Sequence, residues 1–275
     1  MPASQSSANV SHQLLETSRQ YWDITAETYD QIFPETLIGR AQRDAVWREL
    51  ERVFQSGQRI LELNCGTGID AVHLAERGIQ VLACDLSPRM IELAVSRSVA
   101  ADLANLAVFR VMPTEDIAQL VEQGPFDGAF SNFSGLNCVE DLSSVARSLA
   151  ELLRPGANAL ICMVGRIAPW EIAWHLGHGE VRKAMRRLRP YSEDPRVKTH
   201  YPPVSAIARA FAPEFRLRGW QGIGVAVPPS CVEPWARRFP KLLKYLAQAD
   251  RWLAPCPVVR GLADCVLLHF ERVTI

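Results

Sequence analysis

The sequence predicts a doubly wound α/β fold, and three observations carry that expectation. Through the middle of the chain short apolar runs alternate with helical stretches, the pattern of parallel strands joined by crossover helices. A glycine-containing turn follows the first apolar run and opens a helix. Pro and Gly punctuate the helix ends, as in LRPG at 153–156. In order, the Ser- and Ala-rich residues 1–11 read as a loose lead-in. From Ser11 to Phe54 the pattern is helical with breaks near Pro34 and Gly39, which makes 1–56 an N-terminal helical arm. Strand one is RILELN (59–64), and the helix after it closes at Gly78. Strand two is 79–85; Ser87 followed by Pro88 is a helix start, and that helix runs to about Ala100. Strands three, four and five are expected at 106–112, 126–132 and 158–164, which completes a core over 57–165. The C-terminal half, 166–275, holds a helix at 205–212 and strand candidates at 215–227 and 263–273. The alternation lapses over 166–198 and 228–258, two insertions expected to form a lid over the carboxyl ends of strands four and five.

Composition narrows the function classes. Thirty basic against thirty acidic residues leave no net charge, which argues against a chain devoted to coating nucleic acid or anionic membrane. Seven cysteines are scattered with no C-x-x-C spacing, so neither a zinc knuckle nor a redox dithiol is indicated, and a reducing compartment is expected. The N-terminus lacks a basic start and apolar stretch, and no window approaches a membrane span. The expectation is a soluble, cytoplasmic protein of undetermined oligomeric state. His175 and His178 lack a visible third ligand, so no metal is expected. The basic run at 181–189 reads first as a solvated helix face. Trp170, Trp174, Trp220, Trp235 and Trp252 lie in or beside the insertions, either packing them down or lining an apolar pocket.

The chemistry begins at LELNCGTGIDA (61–71). Gly66 and Gly68 let the backbone approach a ligand, and the helix N-terminus offers free N–H groups. Glu62 interrupts an apolar strand near its carboxyl end, where open α/β sheets hold ligands. A carboxylate there repels a pyrophosphate and attracts an ammonium. Asp85, at the end of strand two, is placed to accept from ribose hydroxyls. A ligand with a ribose and an amine but no phosphate describes S-adenosylmethionine (SAM).

With LELNCGTG followed by VLACDLSPRMIELA, the chain resembles the class I SAM-dependent methyltransferases, especially the small-molecule type with a ubiquinone/menaquinone-methyltransferase-like core. The resemblance is specific over about 57–165 and looser for TAETYD (25–30) and the C-terminal strands. It implies a seven-stranded, mostly parallel sheet with the last strand antiparallel between strands five and six. It also implies that Glu62, Asn64, Gly66 and Gly68, with the intervening Cys65 and Thr67, hold the methionine portion and Asp85 the ribose. Leu86 and Met90 then line the adenine pocket, with Thr114, Glu115 and Asp116 around it. Ser131, Asn132 and Phe133 face the transferable methyl, and Tyr29 closes over the cofactor. The chain departs from the pattern twice. Asn64 replaces the usual first glycine, although asparagine tolerates positive φ. Pro113 stands where many members carry an acid.

The expected function is methyl transfer from SAM to a small, partly apolar metabolite, leaving S-adenosylhomocysteine. His200, a candidate general base, and Tyr201, orienting the acceptor, precede Pro202-Pro203 on the way to strand six. The alternatives are an RNA or other nucleic-acid methyltransferase and a noncatalytic SAM-binding module. SNFSG (131–135) lacks the Asn/Asp-Pro-Pro-aromatic run of base-modifying enzymes, so nucleic acid is not the expected partner.

Overall fold

The computed structural model describes residues 3–192 and 194–274, with side chains from residue 13 onward. Helix α1 (Ala3–Ile32) and helix α2 (Leu37–Val53) meet at a turn containing Pro34. The loose lead-in expected over 1–11 is instead helical from Ala3, because neither glycine nor proline interrupts the chain between Pro2 and Pro34. The second expected break is also absent. Thr36 caps α2 by accepting the Gly39 N–H at 2.9 Å. A Cβ on Gly39 would lie 1.9 Å from the Phe33 carbonyl oxygen, so the glycine serves a close chain crossing inside the first turn.

The strands are β1 (Arg59–Leu63), β2 (Gln80–Asp85), β3 (Ala107–Val111), β4 (Phe126–Ser131), β5 (Leu153–Val164), β6 (Phe215–Ile223) and β7 (Cys265–Arg272). Among the described residues they form one seven-stranded sheet in the order β3-β2-β1-β4-β5-β7-β6. The pairs among β1 to β5 are parallel, and β7 runs antiparallel to both β5 and β6. This is the doubly wound class I topology that the sequence predicts. Strand ends differ where glycine bends the chain. β5 begins at Leu153 because that residue already pairs with Phe126 ahead of a register shift, and Gly156 sits at φ +78 within it. β6 stops at Ile223, before Gly224 at φ +75.

Period-two burial divides the core between the two faces of the sheet. On one face Leu61, Leu63, Ala129 and Phe270 pack against α5 (Leu142–Leu152) and α8 (Val204–Phe211). On the other, Ile60, Val81, Phe130 and Cys162 pack against α2, α3 (Ile69–Ala75) and α4 (Pro88–Ala100). Alternation along β1 directs Glu62 to this second face, beneath α2 and α3. The segment after β5 forms α6 (Pro169–Gly177) and α7 (Val181–Ala184); the segment after β6 forms α9 (Glu233–Arg238) and α10 (Pro240–Leu253). A third apolar cluster, with Ile38, Val232, Ala236 and Leu243 at its centre, seats α9 and α10 on α2. No helix among the described residues is long and apolar enough to cross a membrane.

Candidate functional site

Parallel pairing aligns the carboxyl ends of β1, β2, β3 and β4 on one edge, and the turn 64–68 rises from that edge. Asn64, Gly66 and Gly68 all adopt positive φ, so asparagine takes the strained first position as expected. The turn is tied to the neighbouring strands. Asn64 donates from its side-chain amide to Thr114 Oγ1 at 2.9 Å and accepts from Ser131 Oγ at 3.3 Å. Asp85 accepts the Gly66 and Ser87 N–H groups, each at 2.9 Å, one on each carboxylate oxygen. Gly68 meets a different demand. A Cβ there would lie 2.7 Å from Ala94 Cβ and 2.8 Å from Phe109, so this glycine permits close packing of α3 on α4 and β3.

Behind the turn lies a buried carboxyl group. Glu62 is 1% exposed, and its Oε2 has no hydrogen-bond partner. Burial pushes its carboxyl well above the usual range and the neighbouring Asp70 adds to that, against Arg43, which pulls the other way. Asp70, in the first turn of α3, accepts from Arg43 Nη1 at 2.5 Å, Trp47 Nε1 at 2.6 Å and Asn132 Nδ2 at 2.9 Å. The Arg43 guanidinium also stands 5.0 Å from the centroid of the Phe133 ring. Burial likewise raises Asp85, opposed by the N–H groups of Ser87 and Gly66.

A cavity of about 290 Å³ opens over this edge. Its wall contains Tyr29, Asn64, Cys65, Gly66, Thr67 and Asp85. Leu86, Met90, Thr114 and Glu115 continue the wall, and Asn132 and Phe133 close it from the end of β4. Glu62, Gly68 and Ser131 do not line the cavity; Glu62 and Ser131 are buried behind the turn and Gly68 packs on α4. Asp116 is solvent-exposed at the start of the 3₁₀ segment 114–123.

His200 requires correction. Its N–H donates to the Asn137 carbonyl and its carbonyl accepts from Asn137 Nδ2, both at 2.7 Å. Tyr201 lines the cavity, whereas His200 lines a neighbouring pocket with Pro190, Pro202 and Pro203 that Tyr201 also borders. Burial and Lys198 lower the His200 pKa, and His200 is not among the residues that line the cavity.

The two insertions behave differently. The segment 186–201 gives the cavity Arg186, Ser192, Val197 and Thr199 besides Tyr201. None of residues 228–258 lines it, contrary to the expected lid, because α9 and α10 spend their apolar faces on α2. The five tryptophans near the insertions are also outside it. Trp170 packs 5.8 Å from Trp235, Trp174 joins the third cluster, Trp220 carries the Arg260 guanidinium, and Trp252 faces solvent. Two of the arginines in the basic run are committed to structure, since Arg186 and Arg187 both pair with Glu171. His175 bonds Glu180 at 2.7 Å.

The sequence reading missed most of the contribution of α1, namely Leu15, Ser18, Tyr21 and Trp22. A usable signal was present: Trp22 and Tyr29 lie seven residues apart, on one helix face, with ring centroids 6.3 Å apart. Arg43 was missed too, and a single arginine in a helix carries no such signal. Polar contacts hold α1 over the cavity. Ser87 Oγ donates to Asp23 at 2.5 Å, Thr67 Oγ1 donates to Asp30 at 2.6 Å, and Arg97 pairs with Asp30. The donor set suits a cationic, phosphate-free ligand. Two buried acids (Glu62, Asp70) and the half-buried Asp85 stand at this end, one oxygen of Glu62 is unpartnered, and the buried Arg43 is already paired with Asp70.

Comparison with known proteins agrees with this geometry. Residues 60–156 match the family model of a methyltransferase domain. The chain is 32% identical over 139 residues to the tRNA 5-carboxymethoxyuridine methyltransferase of Escherichia coli (strain K12), covering 49% of this chain and 52% of that protein. It is 31% identical over 115 residues to the ubiquinone biosynthesis O-methyltransferase of Xanthomonas axonopodis pv. citri (strain 306), covering 42% and 46%. The chain thus spans about half the length of these curated relatives. Among solved structures, the CcbJ methyltransferase from Streptomyces caelestis superposes with a TM-score of 0.62 over 94% of this chain and 99% of that one, at 15% identity. That likeness shows the fold.

Proposed function

We propose that this chain, which has the class I SAM-dependent methyltransferase fold and carries a methyltransferase domain, moves the methyl group of SAM to a small, partly apolar metabolite. One observation carries the reading. A single cavity joins the acid-bearing turn 64–70 to a compartment walled by Tyr21, Trp22, Val197 and Tyr201. Bound SAM supplies an electrophilic methyl carbon on a sulfonium and leaves as S-adenosylhomocysteine. The turn at Asn64–Thr67 holds the amino-acid end, with the Glu62 carboxyl buried behind it. Asp85 keeps two of about four acceptor sites after bonding Gly66 and Ser87, and these take the ribose hydroxyls. Leu86 and Met90 hold the adenine. Tyr29, Trp22 and Phe133 exclude water around the methyl, and the Tyr201 hydroxyl orients the acceptor. Alignment of acceptor and methyl supplies the main rate enhancement, and among the described residues no histidine lines the cavity. The scattered cysteines support a cytoplasmic location.

Titration calorimetry tests the cofactor half: SAM binds, NAD does not, and Asp85→Ala weakens SAM by about 1–3 kcal/mol. Equal NAD binding or an unaffected variant overturns it. Radiolabelled SAM with fractionated cell extract tests the acceptor half. Label in a small molecule supports the reading. Label in RNA transfers the assignment to the tRNA-type activity of the Escherichia coli relative, and no label in any fraction leaves a SAM-binding module.

A further inference from the structure

We propose that the outer face of α10 is a peripheral docking surface for anionic phospholipid bilayer. Leu243 and Asp250 fix the inward side of this helix. Tyr245 and Trp252 lie seven residues apart on the opposite side, with Lys241 alongside, and are 68% and 82% exposed. Phe239 and Leu242 at the start of the helix and Val258 beyond its end are exposed as well. Together with Arg238, Pro240 and Lys241, the residues Phe239, Leu242 and Tyr245 form a shallow groove on this face.

The exposed charge along α10 is of one sign. Arg238, Lys241, Lys244 and Arg251 lie on and beside this helix, whereas Arg237 pairs with Glu233 and Arg260 lies over Trp220; within α10 there is one acid. That acid, Asp250, is buried and occupied, accepting the Ala226 N–H at 2.5 Å and the Val227 N–H at 3.2 Å. The whole chain is neutral, so this is local segregation. A helix face combining exposed aromatic and aliphatic side chains with unopposed lysine and arginine is complementary to a bilayer interface. The rings and Leu242 enter the acyl boundary while the basic groups meet anionic head groups. A surface built for RNA has no use for solvent-facing Leu242 and Val258, which favours lipid. The inference is independent of the acceptor and of SAM binding.

The test is co-sedimentation of the full chain with vesicles of phosphatidylcholine alone or mixed with phosphatidylglycerol, at low and high salt. Binding to the mixed vesicles alone, reduced by salt, is the expected result. Lys241→Gln/Lys244→Gln should weaken it roughly 25-fold, at about fivefold per basic group near the surface. Tyr245→Ser/Trp252→Ser should weaken it at least as much. Both double variants should keep wild-type melting and SAM titration, because the four side chains are exposed. Absence of binding at low salt, or variants that bind like wild type, overturns the proposal. So does a concentration-dependent dimer abolished by Tyr245→Ser/Trp252→Ser, which assigns the face to a second copy. Tighter binding to single-stranded RNA than to mixed vesicles, lost in Lys241→Gln/Lys244→Gln, assigns it to nucleic acid.

Discussion

Glu62 has a stability cost that follows from its burial. Its folded pKa lies above its unfolded value, so its favourable contribution is full below the usual carboxylate pKa and is lost as pH rises toward the raised value. Replacing it with the uncharged isostere removes that loss. Glu62→Gln without ligand should melt higher than wild type near pH 8, by roughly 2–4 °C per kcal/mol of relieved charge, and the difference should vanish near about pH 4. The same variant should bind SAM more weakly. Thermal melting across pH with a parallel SAM titration reads both. A Glu62→Gln protein that melts lower than wild type at pH 8 would mean that Glu62 serves as a structural partner of Arg43.

At the scale of elements, glycines that look alike in the sequence do different work. Gly68 and Gly156 have nearly equal positive φ, +74 and +78. A Cβ on Gly68 would collide with α4 and β3, whereas one on Gly156 meets nothing within 4 Å. Gly156→Ala should therefore cost only backbone strain, about 1 kcal/mol, and Gly68→Ala that strain plus about 1–3 kcal/mol of overpacking. Urea titration separates the two, and equal losses would refute the packing role of Gly68. Turn chemistry made the element boundaries around 66–100 readable: the Ser87 hydroxyl accepts the Met90 N–H at 3.1 Å, with Pro88 at the first helical position. The start of α1 and the absence of a break at Gly39 were not readable, since each depends on what the chain packs against.

For the whole molecule, the segment after β5 is held to the sheet by a buried ion network. Arg187 pairs with Glu171 and with Asp264 at 2.6 Å, just ahead of β7, and donates to the Asp264 carbonyl at 2.7 Å. Losing the arginine leaves Glu171 with Arg186 alone and the buried Asp264 with the Gln42 amide and no cation. Arg187→Ala should cost about 3–5 kcal/mol and loosen 186–201 over the cavity. Burial raises Glu171, but bonds and charge from Arg186 and Arg187 outweigh it and hold the carboxyl below its usual value. The stability from this network is therefore present above the usual carboxylate pKa and lost as pH falls through the lowered one. Equilibrium unfolding between about pH 3 and 7 should show this loss in wild type and a shallower one in Arg187→Ala. Parallel slopes would place the acid sensitivity elsewhere.

By itself the sequence determined the sheet and the turn at its carboxyl edge that lines the cavity. Period-two apolar runs, a glycine turn and acids at strand ends are local signals, and Glu62, Asn64, Gly66 and Asp85 stand within about two dozen residues. Only the tertiary structure decided the opposite wall of the cavity. Tyr21, Trp22, Arg43, Val197 and Tyr201 come from segments far apart in the chain and meet only when α1 and 186–201 close over the sheet edge. It also decided that α9 and α10 belong to α2 rather than to a lid, and that Tyr201 lines the cavity while adjacent His200 does not. Those outcomes turn on which apolar face finds a partner first and on a pair of backbone bonds to Asn137, and neither is written in spacing or composition.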